Sequence, residues 1–268
     1  LILDDILRLA AVQAGARWMP MARMEGLIED RYGGRVGGVK FRVGAKGAEQ
    51  RRDVAARWVV LATGAVPQAL IAAGVCKRRT PSGVAVRGYL KNPGMAEAIT
   101  SLDVVWHRKL GRGYGWIFPC GHGVFNIGVG LSQSHAAKDD GREAMADDVN
   151  LREVFDTFCR VHDPARRLVE GGEWLSSLKG APLRCSLEGA QLSRPGMLVT
   201  GEAVGSTYAF TGEGIGKAME TGMLAAEALL ETAASPALSN PGHDDPAMRA
   251  RYTQRVLALK PRFDLYER

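Results

Sequence analysis

Apolar residues near the start of the chain recur at helical spacing and predict a first helix that ends at Gly15. The positions that carry this pattern are Leu3, Ile6, Leu7, Ala10 and Ala14. From Trp18 onward, glycines interrupt β-forming residues between about residues 33 and 47. This change of pattern predicts a small β-meander.

Two further apolar runs predict strands of a parallel sheet. Residues 59–65 read Val-Val-Leu-Ala-Thr-Gly-Ala, without polar alternation, which is typical of a strand buried on both faces. The carboxyl end of this strand is expected to face a ligand crevice. Residues 197–200 form a second short apolar run that ends at Gly201, and a helix is predicted from about residue 212 to residue 230. Both segments follow an α/β pattern.

The middle of the chain differs, because its apolar and polar residues alternate. Residues 84–90, 103–109, 114–118 and 124–130 predict strands of a separate antiparallel sheet. One helix is predicted at residues 151–161, with a buried stripe of Leu151, Val154, Phe155, Phe158 and Val161. A linker rich in Ser, Pro, Asn and Gly at residues 233–246 then leads to a C-terminal helix.

Composition and charge narrow the class of protein. The 268 residues are 46% hydrophobic and 24% charged, which excludes intrinsic disorder, and no apolar run approaches the ~20 residues of a membrane-spanning helix. The net charge of +6 is uneven, since residues 1–112 hold 19 basic and nine acidic residues. No nucleic-acid-binding motif accompanies this basic half, so we predict no nucleic-acid partner. The four cysteines are far apart, which favours reduced cytoplasmic thiols and no metal site.

The densest chemical signal is the glycine-rich string at residues 201–220. Glu202 follows a strand end, where a carboxylate can accept hydrogen bonds from the hydroxyls of a sugar. Thr211 can cap the next helix, whose first N–H groups would face an anion or an electron-rich ring. Alternatively, the glycines permit only close helix packing, with Glu213 and Lys217 as an ordinary ion pair. The string as a whole favours cofactor binding.

A second signal is the aromatic segment at residues 114–119. Tyr114, Trp116 and Phe118 occupy alternate positions, so a strand would carry all three rings on one face, with Gly115 leaving space on the other. Such a face is either part of a core or the wall of an elongated apolar pocket. The residues by themselves leave both interpretations open.

These segments resemble the geranylgeranyl reductase family, within the p-hydroxybenzoate hydroxylase-like flavoproteins. Residues 201–220 are similar to the second FAD-contacting motif of that family, and residues 59–65 resemble its Thr-Gly-Ala turn near the adenosine end of FAD. Residues 114–119 reproduce the Tyr-x-Trp-x-Phe-Pro motif that lines the prenyl-substrate cavity. Residues 3–16 resemble the helix that follows the first part of the FAD domain.

The resemblance implies two sets of site residues and assigns no catalytic residue or metal ligand. The implied cofactor-binding residues are Thr63, Gly64, Gly201, Glu202, Ala203, Gly205, Thr211, Gly212, Glu213, Gly214 and Ile215. The implied substrate-binding residues are Tyr114, Trp116, Phe118 and Pro119.

The resemblance also implies a fold and a reaction. We expect a mixed α/β fold: a partial FAD-binding, Rossmann-like three-layer domain at residues 1–80 and 191–232, an antiparallel-sheet substrate domain at 81–190, and a linker with a helix at 233–268. The expected reaction reduces carbon–carbon double bonds of a prenyl lipid or prenyl diphosphate by hydride transfer from reduced FAD. NADPH or reduced ferredoxin is the expected electron donor, and the expected location is the cytoplasm, with peripheral association with a membrane.

Three departures from the family pattern leave alternatives open. The chain has Glu202 where the family usually has Asp, and Ala209 where it commonly has Pro. It contains no Gly-x-Gly-x-x-Gly unit before the first helix, so we expect an N-terminally truncated flavoprotein. One alternative is a flavin monooxygenase or halogenase, whose motif usually continues as Asp-Ala-Ala-His rather than with Val204-Gly205. The other is a non-catalytic remnant that binds an apolar ligand without flavin.

Overall fold

The computed structural model describes residues 2–30, 34–76, 81–132, 150–187, 191–233 and 246–265. Most of the predicted linker, residues 234–245, lies outside the described residues. The helices are α1 Ile2–Gln13, α2 Pro67–Ala72, α3 Leu151–Val161, α4 Asp163–Glu170, α5 Ile215–Ala233, α6 Pro246–Leu257 and α7 Lys260–Leu265. The strands are β1 Ala22–Glu29, β2 Val36–Val43, β3 Gln50–Ala55, β4 Val59–Leu61, β5 Gly83–Lys91, β6 Asp103–Trp106, β7 Gly113–Pro119, β8 Val124–Ser132, β9 Glu173–Trp174, β10 Lys179–Leu183, β11 Ser193–Arg194 and β12 Met197–Val199.

The described strands form three sheets, and helices alternate with them along the chain. This mixed α/β architecture confirms the predicted fold class. Strands β1, β2 and β3 pair antiparallel in chain order, so the predicted meander is confirmed. A second sheet has the order β11-β12-β4, in which β12 and β4 run parallel. The largest sheet is antiparallel, with the order β10-β5-β8-β7-β6, and β9 pairs with β5 at its far end.

The prediction that β4 is buried on both faces is wrong for the described residues. Val59 and Leu61 are buried, whereas Val60 between them is 42% exposed. Val59 and Leu61 pack into a core, whereas Val60 on the other face lies outside it, so the continuous apolar pattern does not correspond to burial on both faces. Similarly, α1 forms as predicted and ends at Gln13, two residues before Gly15, but none of its residues is buried.

Two separate hydrophobic cores support these sheets. The first surrounds the parallel pair β4–β12 and includes α2, α6 and α7, where Tyr252 donates a 2.5 Å hydrogen bond to the carbonyl of Val199. The second lies between the largest sheet and helices α3 and α4, with Phe155, Phe158 and Leu168 buried. The predicted helix at 151–161 therefore has the predicted bounds and buries the predicted face.

Among the described residues, helices α3 and α4 cover one of the two faces of the six-stranded sheet, and no described helix covers the other. Alternate residues of β7 point to opposite faces, so Gly115 and Ile117 face α3 while Tyr114, Trp116 and Phe118 face away from it. The absence of a side chain at Gly115 admits Phe158, because a Cβ at Gly115 would lie 2.3 Å from the Phe158 ring. The helices thus leave the aromatic face available for other contacts.

Among the described residues, no helix has the length and apolar character needed to cross a membrane.

We expect Gly115→Ala to lower the free energy of unfolding by about 1–3 kcal/mol, because the new methyl group would overlap the Phe158 ring in a packed core. Chemical denaturation measures the difference. Gly26→Ala on β1 is the matched control, since a Cβ there meets nothing within 4 Å. Equal effects of the two substitutions would contradict this account of the core.

Candidate functional site

The parallel pairing of β4 with β12 brings the two predicted cofactor-binding turns together. Val199 pairs with Leu61, so both strands end at the same edge of the sheet, as parallel strands must. The turn that follows β4 contains Gly64, and a Cβ built on Gly64 would lie 4.0 Å from the Oε2 atom of Glu202. Gly64 and Glu202 are therefore neighbours at one crevice, although they are far apart in the sequence.

Glu202 is held in place through only one of its carboxylate oxygens. Its Oε1 accepts hydrogen bonds from the Thr207 hydroxyl at 3.1 Å and from the Arg184 backbone N–H at 3.4 Å. No described group donates to Oε2, the oxygen beside Gly64. Burial raises the pKa of the Glu202 carboxyl, although the two hydrogen bonds act in the opposite direction. The site thus presents a preoriented acceptor oxygen at the strand end.

The backbone around Glu202 forms a tight turn that requires glycine at Gly205. Gly201–Val204 is a short 3-10 helix, and Gly205 follows it at φ +80°, in the left-handed region. A Cβ at Gly205 would also lie 2.9 Å from the Cys185 carbonyl. The Gly201 N–H donates to the buried hydroxyl of Thr221 on α5 at 3.0 Å, which ties the turn to the helix.

The predicted cap of α5 by Thr211 is wrong, because the helix begins later than predicted. Gly212 has φ +67°, which an α-helix does not accommodate, and the first helical residue is Ile215. The Gly214 carbonyl accepts the N–H of Ala218 at 2.8 Å, which puts Gly214 at the cap position. The Thr211 hydroxyl accepts the N–H of Glu213 at 3.3 Å instead, so it shapes the loop before the helix.

The glycine-rich loop contacts the aromatic face of the six-stranded sheet directly. The Tyr114 hydroxyl donates a 2.9 Å hydrogen bond to the Thr211 carbonyl, and burial raises the pKa of Tyr114 to about 12. A Cβ at Gly212 would lie only 2.3 Å from that hydroxyl. Beside this contact, Phe210 stacks on Trp106 with ring centroids 4.9 Å apart and an interplanar angle of 7°. These interactions join the loop to β7 and β6.

The aromatic rings continue along β7 as a row. Centroids are separated by 5.9 Å between Trp106 and Tyr114, by 5.7 Å between Tyr114 and Trp116, and by 6.1 Å between Trp116 and Phe118. Trp116 is 8% exposed, and its indole N–H donates to the Asn126 side chain at 3.0 Å. The row extends from the glycine-rich loop toward the end of β7, with Trp116 buried between the partly exposed rings of Tyr114 and Phe118.

The structure brings the predicted residues together to different degrees. Gly64, Gly201, Glu202 and Gly205 meet at the strand ends, and Tyr114 contacts the loop that contains Thr211 and Gly212. Thr63 is exposed at the same turn and Ala203 is buried, whereas Glu213, Gly214 and Ile215 lead into α5. Phe118 and Pro119 lie at the far end of β7.

Sequence reasoning missed Trp106, Phe210, Arg184 and Thr207. Phe210 and Thr207 lie within the glycine-rich string, so their positions offered a signal. Trp106 pairs with Tyr114 across β6 and β7, a register that the sequence does not reveal.

The residues at the strand ends fit the sugar portion of a dinucleotide cofactor. The free Oε2 of Glu202 can accept a hydroxyl hydrogen bond, and Gly64 leaves room beside it. The adjoining aromatic face offers an apolar surface for a second ligand. Among the described residues, no cluster of three or more His, Cys, Asp or Glu side chains could hold a metal ion. This combination of fold and site is typical of dinucleotide-binding proteins in which parallel strands adjoin a larger antiparallel sheet.

Comparisons with known proteins narrow that class. The chain is 30% identical over 230 residues to the menaquinone reductase of Mycolicibacterium smegmatis, a match that covers 84% of this chain and 51% of the relative. It is 28% identical over 242 residues to the digeranylgeranylglycerophospholipid reductase of Methanosarcina acetivorans, a match that covers 87% of this chain and 53% of that relative. The solved structure of a geranylgeranyl bacteriochlorophyll reductase-like protein from Thermoplasma acidophilum superposes with a TM-score of 0.72 at 24% identity. The superposition covers 99% of this chain and 60% of that protein.

The chain belongs to the geranylgeranyl reductase family of FAD-dependent oxidoreductases, which confirms the resemblance seen in the sequence. It spans about half the length of the curated relatives it matches. No protein-family model matches the chain.

We expect Tyr114→Phe to lower the free energy of unfolding by about 1 kcal/mol, because the Thr211 carbonyl loses its donor while the ring stays. Urea denaturation measures the change. Tyr89→Phe is the matched control, since Tyr89 lies on the same face and its hydroxyl donates to no described group. A loss that is equal for both variants would show that the hydrogen bond contributes nothing.

We expect Glu202→Gln to stabilise the fold increasingly as the pH rises above 4.5, the ordinary carboxyl value. The folded-state pKa is raised, so the unfolded chain loses this proton first, and the ionised carboxylate destabilises the folded state. The stability difference between variant and wild type should therefore grow from about pH 4.5 upward and then level off. Urea denaturation across a pH series tests this, with Glu97→Gln at an exposed position as the control. A pH-independent difference would contradict the account.

Proposed function

We propose that the protein uses FAD to reduce carbon–carbon double bonds in a prenyl group. The observation that carries this proposal is the contact between the glycine-rich loop and the aromatic face, made by the Tyr114 hydroxyl and the Phe210–Trp106 stack. It makes one continuous surface of a polar strand-end crevice and an apolar row. Reduced FAD, when bound, supplies the hydride for such a reaction.

The chain's own residues would bind and orient the two reactants. In this proposal Glu202 accepts a hydrogen bond from a hydroxyl of the cofactor, while the turns at Gly64 and Gly205 bring the backbone close to the cofactor. Trp116 and Tyr114 provide the apolar wall against which a prenyl chain lies. Residues 1–80 and 191–232 then serve the cofactor, and residues 81–190 serve the substrate.

Tyr114 would act in this scheme as a positioning residue rather than as a proton donor. Its hydroxyl proton is engaged by the Thr211 carbonyl, and burial raises the pKa of Tyr114 to about 12. Such a group holds its proton at neutral pH and maintains the spacing between loop and sheet. The proton that completes the reduction is not assigned to a side chain.

The electron donor and the location of the protein stay predictions. NADPH and reduced ferredoxin are both compatible with a reductase that takes its hydride from FAD. The substrate class motivates peripheral association with a membrane, because prenyl lipids reside there. Activity with each donor, and sedimentation with lipid vesicles, would test these two expectations.

We expect the protein, supplied with FAD and dithionite, to add two mass units to geranylgeranyl diphosphate for each double bond reduced. Mass spectrometry of the extracted prenyl product measures this. Trp116→Ala should lower the rate, because it removes one of the two inner rings of the aromatic row, whereas Trp18→Ala at an exposed position should not.

Two outcomes would contradict the proposed reduction. Products that gain oxygen or halogen in air, with peroxide formation, would favour a monooxygenase or halogenase. Binding of the prenyl compound with no change in its mass, and with no retention of FAD, would favour a non-catalytic binding protein.

A further inference from the structure

Two basic residues lie on the aromatic face of the six-stranded sheet, away from the glycine-rich loop. Trp116 on β7 pairs with Gly128 on β8, Gly128 pairs with Arg87 on β5, and Arg87 pairs with Lys179 on β10. Directly paired residues point to the same face of a sheet. One row across four strands therefore contains an indole ring, a glycine and two cations.

The glycine in the middle of this row joins its apolar end to its charged end. A Cβ at Gly128 would lie 2.4 Å from the Trp116 ring and 2.8 Å from the Arg87 Cβ. Trp116 and Arg87 thus approach each other over Gly128, although a whole strand separates them. Adjacent strands are roughly 4.8 Å apart, so Arg87 lies about 10 Å from β7.

The charges of Arg87 and Lys179 are not balanced by any described acidic group. Neither side chain forms an ion pair or hydrogen bond with a described carboxylate. The Arg87 guanidinium lies over the Tyr89 ring, 5.0 Å from its centroid, which orients the cation without neutralising it. Like charges directly opposite each other on neighbouring strands destabilise a sheet. Such a pair is expected where an anion binds between the two cations.

We propose that Arg87 and Lys179 bind the phosphate or diphosphate headgroup of a prenyl substrate whose chain extends over Gly128 and along the aromatic row. A planar guanidinium with several donors suits phosphate oxygens, and an ammonium adds a second positive charge. The inference rests on the proposed function and deepens it, because it selects a prenyl compound with an anionic headgroup over an uncharged one. The relatives compared above carry names of both kinds, a quinone reductase and a phospholipid reductase.

The test compares two probes that share one chain. Geranylgeranyl diphosphate and geranylgeraniol differ only in the diphosphate, and their equilibrium binding is followed by quenching of tryptophan fluorescence below their micellar concentrations. Wild-type protein should bind the diphosphate at least about tenfold more tightly than the alcohol. This preference should shrink as the salt concentration rises, because the two cations are partly exposed to solvent.

Substitutions assign the preference to the two residues. Arg87→Gln and Lys179→Gln should each weaken binding of the diphosphate about tenfold and leave the affinity for the alcohol unchanged. Arg52→Gln on the exposed strand β3 makes the same change in net charge away from this face and should alter neither affinity. If Arg87→Gln fails to fold, the test depends on two other variants. Lys179→Gln changes an exposed residue, and Arg87→Lys retains the positive charge.

The outcomes separate this inference from the function on which it rests. Equal affinity for both probes, unaffected by Arg87→Gln, would overturn the headgroup site and leave prenyl binding intact. An equal loss for both probes in Arg87→Gln would make Arg87 a packing residue and would also overturn the site. Inorganic diphosphate that competes as well as the prenyl compound would identify a site for a free anion instead. Failure of both probes to bind would contradict the proposed function together with the headgroup site.

Discussion

The hydrogen bond from the Tyr114 hydroxyl to the Thr211 carbonyl is the constraint on which the candidate site depends. It joins a strand of the six-stranded sheet to the glycine-rich loop, which otherwise belongs to the parallel pair β4–β12 and to α5. The approach is possible because Gly212 has no side chain, since a Cβ there would overlap the hydroxyl. The Phe210–Trp106 stack adds apolar contact beside it. A polar crevice and an apolar row thereby become one surface.

The two halves of that surface obtain their rigidity in different ways. At the strand ends, Glu202 is oriented by Thr207 and the Arg184 backbone, and its partial burial is tolerated because one oxygen is fully hydrogen-bonded. Along β7, the rings are supported from behind, where Phe158 fills the space that Gly115 leaves. The same sheet thus uses glycine to admit a helix on one face and, at Gly128, to admit an indole ring on the other.

This division of faces explains how one antiparallel sheet can contribute both stability and recognition. The face toward α3 and α4 is filled with aliphatic and phenyl side chains and forms a core. The opposite face carries rings in a row and, across two strands, the cations Arg87 and Lys179. An amphiphilic ligand with an apolar chain and an anionic head matches that order of chemistry.

The sequence by itself determined the local helices and strands and the segments that contain the candidate site residues. Helical spacing predicted α1 and α3, alternation predicted β7 and β8, and the glycine-rich string after β12 pointed to a cofactor, because each pattern depends only on neighbours along the chain. Two predictions from the sequence were wrong. Helix α5 begins later than predicted, because Gly212 has a positive φ, and Val60 is exposed rather than buried, because burial depends on which elements pack against the strand. Strand register and the meeting of Tyr114 with Thr211 were decided by tertiary structure alone. Contacts between residues about a hundred positions apart follow from how sheets pack, and no local pattern encodes them.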